Sequence, residues 1–232
     1  MKKLAWISAL ITLPALAATE RQVSVSGVCN RMVTPDRGSI VLTVEYVEPN
    51  LPDATEKAAR AYEQVLAATK RLGLADFNQR TVEYTVGEKR DWENSKNVFK
   101  GYQARMGLWV STSEIKKLGE VIAVASREKV KNVGSLQTYL SEEKQLSEQL
   151  ACLKDAAANA EAKAQKLAQA LGAKLGDVIS MIESGAHAPP GPRPEVMMMA
   201  DSAFSAKSAA PSIEAGQQNL ALTINVTFGL KN

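Results

Sequence analysis

The chain has 232 residues, of which 45% are hydrophobic, 28 are Lys or Arg and 25 are Asp or Glu. That apolar share is ordinary for a globular protein and excludes general disorder, and so balanced a charge points to no polyanionic partner, nucleic acid included. A single histidine and two cysteines leave too few ligands and bases for most metal centres and catalytic triads.

The first residues read as a secretory signal peptide over residues 1–18: Lys2 and Lys3 are the positive region, Leu4 to Leu13 the apolar stretch, and Ala15, Leu16 and Ala17 the small-x-small cleavage pattern. The apolar stretch is about half of the roughly 20 residues that a spanning helix needs, and Pro14 interrupts it. Without Lys2 and Lys3 the formal charge falls from +3 to +1. No cysteine follows the cleavage pattern for lipid attachment, and no transmembrane anchor is expected after signal removal. A soluble product in an extracytoplasmic space is the expectation.

Beyond the signal, Val23 and Val25 alternate with serines in a short strand over Gln22 to Val28, and a turn at Thr34, Pro35 and Asp36 leads to a second strand over Ser39 to Val47. Asp53 is the expected N-cap of a helix whose Ala58, Tyr62, Val65, Leu66 and Thr69 fall at helical spacing and which ends near Leu72, before Gly73. Two strands follow, Gln79 to Glu88 and Phe99 to Ser111, with a polar surface loop between them. Ser111 or Ser113 is expected to cap a second helix lined by Ile115, Leu118, Val121, Ile122 and Ala125, and a strand over Asn132 to Leu140 comes next.

The most regular pattern is a third helix from Glu142 to Leu171. Leu146, Leu150, Leu153, Ala157, Ala160, Ala164, Leu167 and Leu171 recur at alternating spacings of four and three, a heptad stripe that a sheet or second helix must cover. Gly172 stops it, a strand runs from Leu175 to Glu183, and Gly185 to Ser212 is a Pro/Met-rich stretch that reads as a long exposed loop. A last strand alternates through Leu220, Leu222, Ile224, Val226 and Phe228. Paired strands with helices between them predict an α+β domain over residues 19–232, with a largely antiparallel sheet and three helices.

Candidate chemistry is sparse. His187 stands alone in the Pro-rich stretch, no glycine loop has phosphate-cradling spacing, and no carboxylate pair can be picked out, so no catalytic, cofactor-binding or metal-binding residue is assigned. Met197, Met198 and Met199 with His187 offer copper(I)-type ligands, but three adjacent methionines cannot all face one ion, and docking on a neighbouring surface is the simpler use. Cys29 and Cys152 either pair in an oxidising compartment or stay as two buried thiols, and their spacing does not choose. A redox enzyme built on them would require free, reactive thiols. Trp92, in the expected polar loop, suggests a contact surface.

Several segments together resemble the SIMPL-domain family of exported bacterial proteins. They are Val25, Ser26 and Gly27 with Pro35 and Asp36 beyond them, the Gly101, Tyr102, Gln103, Ala104 strand opening, and the run DAAANAEAKAQKLAQALGAKLG from Asp155 to Gly176. The resemblance covers the chain beyond the signal and departs where Val28, Cys29 and Asn30 stand in place of the family's second glycine. It implies an α+β fold, a periplasmic or outer-membrane-associated location, homo-oligomers in some members and a link to oxidative or envelope stress, and it implies no catalytic residues. The expected function is therefore a structural or interaction protein of the envelope that self-associates, with an envelope protein as a further partner. The alternative is a periplasmic binding module for a small hydrophobic ligand or unfolded client, with the Pro/Met-rich stretch as its lid.

Overall fold

The computed structural model describes residues 21–184 and 213–232. In chain order the elements are β1 (Gln22–Val33), β2 (Arg37–Glu48), α1 (Leu51–Lys70), β3 (Asn78–Glu93), β4 (Lys96–Thr112), a 3-10 turn (Ile115–Lys117), α2 (Leu118–Arg127), β5 (Asn132–Val133), β6 (Gln137–Tyr139), α3 (Glu142–Ala170), β7 (Lys174–Glu183) and β8 (Gln218–Lys231). The α+β expectation holds, with three α-helices, and the strands divide between two sheets. One has the order β1-β8-β7, the other β3-β4-β2-β5 with β6 also pairing β2.

The described residues form two compact units, one of residues 29–155 with 213–222 and one of residues 21–28, 156–184 and 223–232. The first has its core where α1 and α2 cover one face of the larger sheet. Ile40, Leu42 and Val44 of β2 and Leu108 and Val110 of β4 meet Tyr62 and Val65 of α1 and Leu118 and Val121 of α2. Near the start of α1 the packing changes to alanine on alanine, Ala54 and Ala58 against Ala104, which lets the helix sit close to the strand. Gly101, three residues before Ala104, has φ +130°, and a Cβ there would lie 2.6 Å from the Glu48 carbonyl oxygen. Glycine is required there on both counts.

Several boundaries differ from the sequence reading, β1 running on to Val33 among them. Helix α1 begins a turn earlier than Asp53: Asn50 is the cap, its side chain accepting from the Asp53 N–H at 2.9 Å and donating to the Asp53 carboxylate at 2.8 Å. Pro52 is no obstacle in a first turn, where its missing N–H has no intrahelical partner anyway. The expected polar loop between β3 and β4 is strand nearly throughout. Its reversal needs only Asn94 and Ser95, with φ of 48° and 60°, the left-handed pair of a tight hairpin. Helix α2 has no side-chain cap and is entered through the 3-10 turn; Ser111 lies in β4, bonded to the Tyr139 hydroxyl at 2.6 Å. The expected strand over Asn132 to Leu140 is broken into β5 and β6.

In the second unit β1 and β8 show the alternation of strands with one covered face: Gly27 in β1, and Ile224, Val226 and Phe228 in β8, are buried. Opposite them runs a polar ladder, Ser24 to Thr227 at 2.9 Å and the Ser26 hydroxyl to Asn225 Oδ1 at 2.7 Å. A Cβ at Gly27 would lie 2.0 Å from the Ala156 carbonyl oxygen and 2.8 Å from the Ala160 Cβ, so the helix backbone rests directly on the strand. Gly27→Ala is expected to cost about 3 kcal/mol, the upper end of overpacking effects, because the obstruction is backbone. Thermal unfolding should then fall by about 10 °C; an unchanged midpoint would show that the helix can lift without penalty.

Candidate interaction surfaces

Helix α3 begins at a small polar junction. The Asp36 carboxylate accepts from the Ser141 N–H at 2.7 Å and from the Ser141 hydroxyl at 2.6 Å, and Ser141 Oγ in turn accepts from the Lys144 N–H at 3.3 Å. Lys144 Nζ donates to the Thr34 carbonyl at 2.8 Å. Partial burial alone would raise the Asp36 pKa, but the two Ser141 hydrogen bonds and the Lys144 charge outweigh it and hold the carboxyl below its ordinary value. A carboxylate at a helix N-terminus also meets the positive end of the dipole. The Pro35 and Asp36 pair thus has a structural role, fixing where α3 starts.

Eleven residues into the helix, Cys152 is bonded to Cys29 of β1, with Cα atoms 5.5 Å apart and 123 residues between them in sequence. Neither cysteine is free, and both are buried. A bridge of this span stabilises by about 5 kcal/mol on the chain-entropy account. Arg31, two residues on in β1, adds ion pairs to Glu148 at 3.6 Å and Asp155 at 3.5 Å.

The face that α3 buries shares only Ala160 and Ala164 with the heptad stripe. Cys152, Ala156, Ala160, Ala164 and Ala168 are buried, a row at constant spacing of four, whereas Leu146, Leu150, Leu167 and Leu171 are exposed, Leu171 to 79%. A heptad follows a supercoiled partner helix. A twisted sheet instead receives the inclined row of every fourth residue, and small side chains in that row allow the close seating at Gly27. Leu146, Leu150 and Leu167 of the helix, and Leu171 just beyond its end, are left facing outward.

Strand β7 is an edge of its sheet and has no buried residue. Val178, Ile179, Met181 and Ile182 are all about half exposed or more, Ile182 to 64%. A third apolar surface caps the β3-β4 hairpin, where Trp92 is 74% exposed and Phe99 and Tyr102 pack edge to face at 5.5 Å. The charges beside them are paired locally, Lys89 with Asp91, Arg90 with Glu88 and Lys100 with Glu93. Lys100 is shifted up by its hydrogen bond to Glu93.

Other features give less. A cavity of about 540 Å³ lies between residues 113–117 and 213–216, with Ile115 and Ile213 in its lining. Its charged groups are already engaged: Glu114 accepts from the Ala75 N–H at 2.7 Å and pairs with Lys117, and Lys116 faces Glu214. The Lys117 hydrogen bond pulls Glu114 down and raises Lys117 in return, as expected of a surface ion pair. Among the described residues no group of three or more His, Cys, Asp or Glu is arranged to hold a metal ion. His187, Met197, Met198 and Met199 lie outside the described residues, as does the predicted signal peptide. No described helix is long and apolar enough to cross a membrane.

These features define a disulfide-bonded α+β protein of two antiparallel sheets that exposes large apolar side chains along α3, β7 and the β3-β4 hairpin. The chain belongs to the SIMPL family, described as a protein of unknown function (DUF541), whose pattern matches residues 23–228. It is also similar to the 26 kDa periplasmic immunogenic proteins of Brucella melitensis biotype 1 and Brucella abortus strain S19. Each is 25% identical over 231 residues, an alignment covering 95% of this chain and 91% of the Brucella protein.

Because the folded-state pKa of Asp36 is lowered, its contribution is present above the unfolded carboxylate value and is lost as pH falls below about 4 toward the lowered one. Asp36→Ala should cost roughly 1–3 kcal/mol at neutral pH by leaving Ser141 without its acceptor. In urea melts at several pH values the gap to wild type should narrow as the solution is made acidic. A constant gap would mean that Asp36 acts by packing alone.

Proposed function

We propose that this is an exported envelope protein of structural or interaction type, held as a homo-oligomer and located in the periplasm or at the outer membrane. The reading assigns no catalysis to the chain. Its location is supported by the periplasmic names of the Brucella relatives, by the signal-like residues 1–18, and by a buried disulfide, which persists in oxidising compartments.

Self-association rests chiefly on one observation, the exposed Leu146, Leu150 and Leu167 of α3 together with Leu171 just beyond its end. Burying a leucine stabilises by about 1.5–3 kcal/mol, so a surface carrying several has a strong drive to find a cover. Light scattering of the mature protein during size-exclusion chromatography should give a discrete mass above that of one chain. Leu150→Lys with Leu171→Lys should shift it toward the single chain while the circular dichroism stays unchanged, since both side chains are already in water. A wild type that runs as one chain across a hundredfold range of concentration would overturn the oligomer.

The link to oxidative or envelope stress comes from the family resemblance and concerns the cell rather than the molecule. A strain lacking this chain should survive peroxide or detergent challenge less well than its parent; equal survival removes the link.

A further inference from the structure

We propose that the Cys29–Cys152 disulfide is closed off by a polar seam between residues 29–36 and the first turns of α3, so that thiols reach it only when those turns fray. Arg31 and Asp36 hold the seam shut. The inference concerns the redox behaviour of the chain and stands apart from the oligomer reading above.

The seam is defined by which residues meet. Going up the chain from Cys29, the links run from Cys29 to Cys152, from Arg31 to Glu148, from the Thr34 carbonyl to Lys144, and from Asp36 to Ser141. Each step forward on one side is a step back on the other, so the two segments run antiparallel and are tied at successive points. One tie is covalent. The others are ion pairs and hydrogen bonds of exposed or partly exposed groups, which open and close far more readily than a packed core. The disulfide is thus the innermost tie of a seam whose outer end is Asp36 with Ser141.

Access decides how a disulfide reacts. Reduction begins when a thiolate attacks one sulfur and displaces the other as a thiolate, and a second thiol of the reductant then resolves the mixed disulfide. Two electrons pass from the dithiol, which ends as a disulfide itself, and the two cysteine sulfurs take up two protons. The attack needs a path to sulfur, and Cys29 and Cys152 are only 5% and 0% exposed.

Arg31 reaches Asp155 as well as Glu148, one turn after and one turn before Cys152, so its guanidinium lies across the turn that carries the cysteine. Beyond Cys152 the helix backbone rests directly on the strand at Gly27. That leaves the Ser141 end as the place where fraying starts, through Asp36, Lys144 and Arg31 in turn.

The test follows reduction of the purified mature chain by dithiothreitol under native conditions at one mildly alkaline pH. Free thiols are trapped by alkylation and read by mass, with oxidised glutathione as the exposed reference. The wild-type bond should react roughly a hundredfold more slowly than the reference, as suits a site that is open about one per cent of the time. Asp36→Ala should speed reduction about tenfold, the effect on a local opening of losing hydrogen bonds to a carboxylate. Arg31→Gln should speed it about two- to fivefold, in keeping with partly exposed ion pairs. Val65→Ala removes buried packing from α1 without touching the seam, and should leave the rate unchanged. A wild-type bond as reactive as oxidised glutathione, or a rate that either seam variant leaves unchanged, would overturn the proposal. So would equal acceleration by Val65→Ala, which would show that the bond is reached through general unfolding.

Discussion

The seating of α3 on β1 is the constraint on which the second sheet depends. Gly27 has no side chain, Ala156 and Ala160 have almost none, and the resulting contact brings the helix backbone to the strand. Once it is that close, the alanines at every fourth position are buried as a row, and larger side chains on the helix have no room beneath it. The contact therefore has two consequences, a tight layer and a set of leucines turned to the outside. The Cys29–Cys152 bond and the Asp36–Ser141 junction fix the same helix further toward its start, the first by a covalent link and the second by setting its first turn. Three different interactions thus determine the position of one element along its length.

The residues that carry the family resemblance take on physical meaning as a group. Gly27 clears space for a helix, Asp36 holds the helix start, Gly101 passes a neighbouring carbonyl with positive φ, and Ala104 lets α1 approach β4. The alanine-rich run supplies the buried row, and Gly172, with φ +72°, ends the helix in the left-handed turn that leads to β7. Each of these positions governs backbone placement. A pattern made of such residues preserves a shape, and what that shape displays at its edges is left to residues that the pattern does not fix.

Much of the architecture was legible in the sequence because alternation and helical spacing report burial directly. Leu220 to Phe228 alternated and formed a strand with one buried face; Tyr62 and Val65 fell at helical spacing and entered the core. The misreadings have specific causes. The stripe from Leu146 to Leu171 reads as the contact row because large apolar residues usually mark one, yet only its Ala160 and Ala164 are buried, because the close seating on Gly27 admits small side chains alone. The hairpin turn was hidden because Asn94 and Ser95 lack the glycine that normally announces two positive φ angles. Asn50 rather than Asp53 caps α1 because Pro52 is accommodated within the first turn. The edge position of β7 could not be read at all, since a strand's own residues do not say how many neighbours it has. Cys29 and Cys152 were visible as a pair of residues, but only the fold brings their Cα atoms to 5.5 Å.

The sheet order β1-β8-β7 has a bearing on how the chain matures. Its central strand, Gln218–Lys231, is separated from Gln22–Val33 by nearly the whole sequence, and neither outer strand has another partner in that sheet. Segments made early in synthesis must therefore wait for β8 before the sheet can form, and such long-range closure is slow. Helix α3 can form during that wait from its local contacts, but its alanine row has no finished surface to rest on. The protein is thus committed to completing this sheet only after nearly all of its length has been made, and until then the apolar faces of β1 and β7 lack the strand that joins them.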